Sequence, residues 1–173
     1  GHLPDQFWSP LTNDLDGPYG NADLTTRMHF PMQMLSMIRD RVGPDFLVGF
    51  RFTANEAQAG GIDADLGLRI ARILAETGQL DFFNVIRGRI HTDPAMTDVI
   101  PVQGMKSAPH LDFAGAVREA TGMPTFHASR IPDVATARHA VSAGLLDMVG
   151  MTRAHMADPH IVKKIIEGLI ALI

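Results

Sequence analysis

Apolar residues in this chain come in two alternating rhythms, short unbroken runs and longer stripes at helical spacing. The runs Phe46 to Thr53, Asp81 to Ile86, Thr125 to Ala128 and Leu146 to Gly150 read as strands, each nearly continuous in apolar side chains. Between them lie stretches of helical period. Met28, Met32, Leu35 and Ile38 mark one face of a helix from about Thr25 to Val42, stopped by Gly43-Pro44, with Pro31 in its first turn or kinking it. Leu66, Ile70, Ile73 and Leu74 mark a second, capped by Asp63 or Asp65 and ended at Gly78. Helices are also predicted from Leu111 to Thr121, from Asp133 to Ser142, and from Asp158-Pro159 toward Ile173, the last burying a stripe of Ile161, Val162, Ile165, Ile166 and Leu169. Residues 1–24 read as an N-terminal loop rich in Asn, Asp, Gly and Pro, and Arg87 to His110 as a long irregular, covering segment.

Strands alternating with amphipathic helices predict an α/β protein with a parallel sheet and helices outside it. Four βα units are half of an eightfold (β/α)8 TIM barrel. A small doubly wound sheet is the alternative, but the first strand-to-helix turn, Phe52 to Gly60, lacks the Gly-x-Gly-x-x-Gly pattern of dinucleotide folds. The last two strands each end in small residues plus one Arg, at Ala128-Ser-Arg130 and Gly150-Met-Thr-Arg153. Small residues admit an anion to the backbone N–H groups and Arg adds a fork of charged donors, so the pair predicts a phosphate cradle.

Composition narrows the chemistry. A net charge of -4 offers no broad basic field, which argues against nucleic acid as a partner. With no Cys, neither thiolate zinc nor an iron-sulfur cluster has ligands here. No run of about 18 apolar residues marks a membrane span, and the expected setting is cytoplasmic. His91/Asp93, His110/Asp112 and His155/Asp158/His160 are possible metal ligands, but no His-x-His occurs and they fall on loops or caps, so no metal is expected. The chain opens without Met into Gly1-His-Leu-Pro-Asp-Gln-Phe-Trp-Ser-Pro10, which reads as a fragment or processed product.

Five segments in order carry a resemblance: Leu3 to Asn13, Asp16-Gly-Pro-Tyr-Gly20 leading to Arg27-Met-His-Phe30, Val48-Gly-Phe-Arg51, Ala128-Ser-Arg130, and Val149 to Pro159. Together they resemble the C-terminal half of the FMN-binding barrel of the old yellow enzyme family. The similarity is greatest to its trimethylamine dehydrogenase and N-demethylating branch, and runs from Gly1 to about Gly168. The resemblance implies an FMN-dependent oxidoreductase that takes a hydride from a small amine or from NAD(P)H. It implies that Arg51 lies near the flavin ring, where a cation stabilises the anionic reduced form, and that Ser129, Arg130, Gly150, Met151, Thr152 and Arg153 hold the phosphate. His2 falls at the family's active-site Tyr. Arg89 falls near a substrate-proximal carboxylate of the amine dehydrogenase, which suggests a substrate carrying its own carboxylate.

With only half a pocket, this chain alone is expected to bind FMN weakly or not at all and to be inactive. Its open sheet edges and uncovered inner face predict a homo-oligomer, with Phe50, Phe52, Phe83, Val85, Phe126 and Met148 among the side chains that lose cover. The apolar tail 169–173 adds to that surface.

Overall fold

A computed structural model describes residues 2–169. Its centre is a four-stranded, wholly parallel sheet in the order β1-β2-β3-β4, formed by Gly49–Asn55, Phe82–Arg87, Thr125–His127 and Met148–Val149. Strand order follows chain order, so each connection crosses over through a helix. α3 (Ala64–Glu76) links β1 to β2, α4 (Asp93–Val99) and α5 (Leu111–Thr121) link β2 to β3, and α6 (Val134–Ser142) links β3 to β4. α1 (Leu3–Trp8) and α2 (Leu24–Val42) precede the sheet, while α7 (Thr152–Ala157) and α8 (Ile161–Ile166) follow it.

Local chemistry sets most helix starts. Asp23, Asp63 and Asp133 each accept the backbone N–H three residues on, at 2.8, 2.8 and 2.7 Å, the side-chain cap that a helix N-terminus lacks. α2 runs through Pro31, which leaves the carbonyl of Arg27 without its helical donor.

Strand side chains alternate between two environments. Phe50, Phe52, Phe83 and Val85 pack under the helices and are at most 6% exposed, so these four, expected to lose cover, keep it. The opposite face carries Phe82 and Phe126, stacked at 4.8 Å, and Met148, which is 51% exposed. A Cβ on Gly49 would overlap the Phe82 ring, so Gly49 makes room for that side chain.

The strand starts are held by two similar clamps. Asp81 Oδ2 accepts from Val48 N at 2.7 Å and from Arg39 Nη2 at 2.8 Å. Asp147 Oδ2 accepts from Thr125 N at 2.9 Å and from Arg118 Nε at 2.8 Å, while Oδ1 takes Arg118 Nη2 at 3.0 Å. Val48 N–H holds Asp81 below the usual carboxylate range, with Arg39 second; for Asp147 the Arg118 fork leads.

Several expectations need correction. Residues 1–24 are not simply loop, because α1 forms around the fully buried Trp8 and a 3-10 turn spans Gly17–Tyr19. Arg87 to His110 contains α4, capped by Thr92 at 3.3 Å to Ala95 N. α8 buries only Ile161; Val162, Ile165, Ile166 and Leu169 are 36 to 80% exposed. Residues 170–173 of the apolar tail lie outside the described residues.

Two buried imidazoles make the fold acid-sensitive. His127 is 1% exposed, its Nδ1–H donates to the Val85 carbonyl at 2.8 Å, and its Nε2 has no partner among the described residues. Burial is the main cause lowering its pKa, aided by His110 and Arg51. His110, 6.3 Å away between ring centroids, is also lowered chiefly by burial. Because the native pKa values lie below the ordinary 6.5, the unfolded chain binds more protons once pH falls beneath that value. Stability is therefore full above pH 6.5 and declines as pH drops toward the native pKa values, by up to about 1.4 kcal/mol per pH unit for each imidazole. Urea unfolding from pH 7.5 to 5 should show the decline, and His127→Gln should flatten it; an equal slope in that variant would refute the assignment.

Candidate functional site

Parallel strands deliver their C-terminal ends to one side of the sheet, and the loops that leave those ends build the site. β3 and β4 are adjacent, with His127 opposite Val149, and Gly150 N–H donates to the His127 carbonyl at 2.9 Å. The turns that follow, Ala128 to Arg130 and Gly150 to Arg153, lie side by side. A Cβ on Gly150 would collide with that of Ala128, so only glycine lets the two turns approach so closely. Arg51 sits on β1, paired across the ladder with Asn84 of β2.

These turns and Arg51 wall an open cavity of about 840 Å³. Seven of the nine expected site residues line it: Arg51, Ser129, Arg130, Gly150, Met151, Thr152 and Arg153. Ser129 is only 6% exposed and its Oγ has no partner among the described residues. A buried hydroxyl without a partner costs free energy, and here it belongs to a residue of the cavity wall that Arg130 and Arg153 also line. Arg130 has φ of +49, a left-handed conformation costly for a residue with a Cβ, whereas neither Ser129 nor Thr152 has one. Its Nε donates to the Met105 carbonyl at 2.9 Å, while Arg153 Nη2 donates to the Pro101 carbonyl at 2.9 Å. Both guanidinium groups keep further donors free of ion pairs among the described residues. An anion with several acceptor oxygens fits this donor set.

The other two residues stand elsewhere. Arg89 is beside Ile90, which lines the cavity, but is not itself in the wall, and it has no ion-pair partner among the described residues. His2 is attached to the sheet indirectly: Asp5 accepts from Thr53 Oγ1 at 3.0 Å and lies 3.1 Å from His2 Nδ1. Thr53 is two residues beyond Arg51 on the same strand. Missing from the expected set are Ile100, Pro101 and Gln103, which close the cavity from the segment after α4. The contact of Pro101 with Arg153 spans 52 residues and leaves no local pattern. Among the described residues no three His, Asp or Glu side chains converge as metal ligands, and no helix is long and apolar enough to cross a membrane.

Comparison with known proteins places this arrangement. Residues 1–171 match the model of the NADH:flavin oxidoreductase / NADH oxidase family. The chain belongs to that family. Among relatives, it is 62% identical over 167 residues to a probable N-methylproline demethylase of Rhizobium meliloti (strain 1021), covering 96% of this chain and 24% of that protein. It is 45% identical over 169 residues to a multifunctional alkene reductase/demethylase of Caballeronia cordobensis, covering 97% and 24%. The chain thus spans about a quarter of the length of these relatives. Among solved structures, a 2-naphthoyl-CoA reductase superposes with TM-score 0.86 at 26% identity, over 97% of this chain and 25% of that one. Morphinone reductase gives 0.68 at 20% identity over 96% and 41%, a likeness of fold. The family is one of FMN-dependent oxidoreductases, and the four βα units are a fragment of its TIM barrel.

Proposed function

We propose that this chain carries the flavin phosphate turns of an FMN-dependent oxidoreductase that demethylates N-methylated amino acids. One observation supports it most: the buried, unpartnered hydroxyl of Ser129, in a cavity wall that Arg130 and Arg153 also line from two adjoining turns. Ser129, Arg130, the Gly150 to Thr152 backbone and Arg153 would hold the phosphate, and Arg51 would stand by the ring. When bound, FMN would supply a hydride acceptor for an amine or for NAD(P)H. Arg51 contributes fixed positive charge, which favours anionic character in whatever lies against it. Arg89, which adjoins Ile90 of the cavity wall and has no ion-pair partner among the described residues, would pair with a substrate carboxylate. The substrate class rests on the relative named for N-methylproline.

The test is anion affinity of the chain itself. Arg153→Ala should weaken inorganic phosphate binding roughly ten- to a hundredfold, as expected for the loss of a charge-assisted hydrogen bond of about 1.5 to 3 kcal/mol. Arg72→Ala, on the exposed face of α3, should leave it unchanged. Equal effects from both would rule the site out.

A second proposal concerns the chain in isolation, as an inactive, self-associating half barrel. Met148, Phe46 and Leu47 are 51, 60 and 73% exposed, and an apolar groove of about 400 Å³ runs along α2 between Phe30 and Val42. Burying that surface favours association. Light scattering at micromolar concentration should show a dimer or larger, with FMN bound no tighter than micromolar. A compact monomer, or submicromolar FMN affinity, would overturn it.

A further inference from the structure

α4 stops at Val99, since Pro101 disfavours helical backbone for the residue before it, and Ile100 takes φ of -122 and ψ of 75. The chain then turns at once. Met105 N–H donates to the Val102 carbonyl at 3.2 Å, and of the two central residues only Gly104 has a positive φ, at +94, the pattern of a type II turn. The carbonyl just before this turn and the one at its end reach the two phosphate turns. Pro101 O accepts from Arg153 Nη2 and Met105 O accepts from Arg130 Nε, each at 2.9 Å. Among the described residues, these two hydrogen bonds are the ones that tie residues 101–107 to the rest of the chain. Just beyond, Ala108 N–H donates to the Arg130 carbonyl at 2.8 Å and so holds the left-handed backbone of Arg130 as well.

We propose that the turn at residues 102–105 is a strap that positions both arginines for an anion, with Gly104 as its positioning residue. This rests on the anion site proposed above. Each guanidinium engages the strap through one donor, which leaves both Nη groups of Arg130, and Nε and Nη1 of Arg153, without a hydrogen bond among the described residues. Both arginines line the cavity together with Pro101 and Gln103, so the remaining donors are held beside it. An unbraced Arg samples many rotamers, all but one of which are lost when an anion binds; the strap removes that loss by ordering the side chain beforehand. The coupling is reciprocal. An anion on the remaining donors keeps the guanidinium groups in place and with them the strap, whereas an open strap releases both arginines. Gly104 sets how often the strap is closed, because its φ is costly for a residue with a Cβ, while a Cβ there would meet no atom within 4 Å. Alanine at position 104 therefore penalises the closed strap and collides with nothing.

Gly104→Ala should weaken binding of inorganic phosphate to this chain by about threefold or more, since apparent affinity falls with the fraction of chains in the competent state. Gly122→Ala is the control. It puts the same kind of strain, at φ +65 and again in open space, on the C-cap of α5 at the opposite end of the sheet. It should lower stability and leave phosphate affinity unchanged. A smaller loss in Gly104→Ala, or an equal loss in Gly122→Ala, overturns the proposal. A second readout needs no anion. In 1H–15N spectra the Arg130 Nε–H, assigned by its loss in Arg130→Lys, should exchange with water about tenfold more slowly than that of the exposed Arg72. Gly104→Ala should return it to the Arg72 rate. Equal rates in the unaltered chain, or a slow rate that survives Gly104→Ala, overturn the strap. If the unaltered chain binds no phosphate, the function proposed above fails, and the strap stands or falls on the Arg130 exchange alone.

Discussion

Gly67→Ala should strongly destabilise the chain, although alanine is the better helix former. In the interior of α3 the exchange would gain about 1 kcal/mol from propensity alone. Position 67, however, is buried where α3 crosses β1. A Cβ there would overlap the carbonyl oxygen of Ala54 and stand 2.7 Å from its carbonyl carbon and 3.1 Å from its Cα. Both partners are backbone, one in a helix and one in a strand, so no side-chain rotation relieves the overlap. α3 must move off β1 as a unit, uncovering Ile70, Ala71 and Leu74, all 0% exposed. A net loss of about 3 kcal/mol or more is expected, at the upper end of overpacking, a large share of an ordinary domain's stability. Chemical denaturation followed by far-UV circular dichroism would measure it. A variant as stable as the parent would mean that the helix and strand are not in contact there.

The parts legible in the sequence are those written by near neighbours. The caps Asp23, Asp63 and Asp133 act on residues three positions away, which is why the corresponding helices start within a residue or so of expectation. α4 carries the same kind of signal in Thr92 and Pro94, but it is short, exposed and without an apolar stripe. The first strand begins at Gly49 and not at Phe46, because Val48 N–H is taken by Asp81 from 33 residues away and Phe46 and Leu47 face outward. The site divides in the same way. Small residues plus Arg at two consecutive strand ends mark the cradle, since close approach and charge need those residue types. The braces on it, Met105 for Arg130 and Pro101 for Arg153, are backbone carbonyls 25 and 52 residues distant, and a carbonyl has no residue identity to read. Likewise Trp8 reads as part of a polar and aromatic loop, and only the folded chain shows it to be an anchor.

That anchor makes Trp8→Ala the other severe substitution. Trp8 is 0% exposed, with its ring centroid 5.5 Å from Phe50 and 6.0 Å from Phe52, the latter edge-on. Truncation to alanine should cost about 3 to 5 kcal/mol, the range for a buried aromatic. Trp8→Phe should cost much less, for two reasons. Most of the apolar contact is kept, and the indole Nε1, which has no acceptor among the described residues, is removed along with its desolvation cost. The consequences reach β1, because α1 also carries Asp5 and, at its N-cap, His2. If α1 is released in Trp8→Ala, the Asp5 hydrogen bonds to Thr53 go with it, while the Ser129 and Arg153 turns leave β3 and β4, away from the β1 strand on which α1 packs. Urea unfolding should therefore place Trp8→Phe well above Trp8→Ala, and phosphate affinity of the folded fraction should be the same in both. Equal losses for the two variants would show that Trp8 does not hold α1 through the packing of its ring.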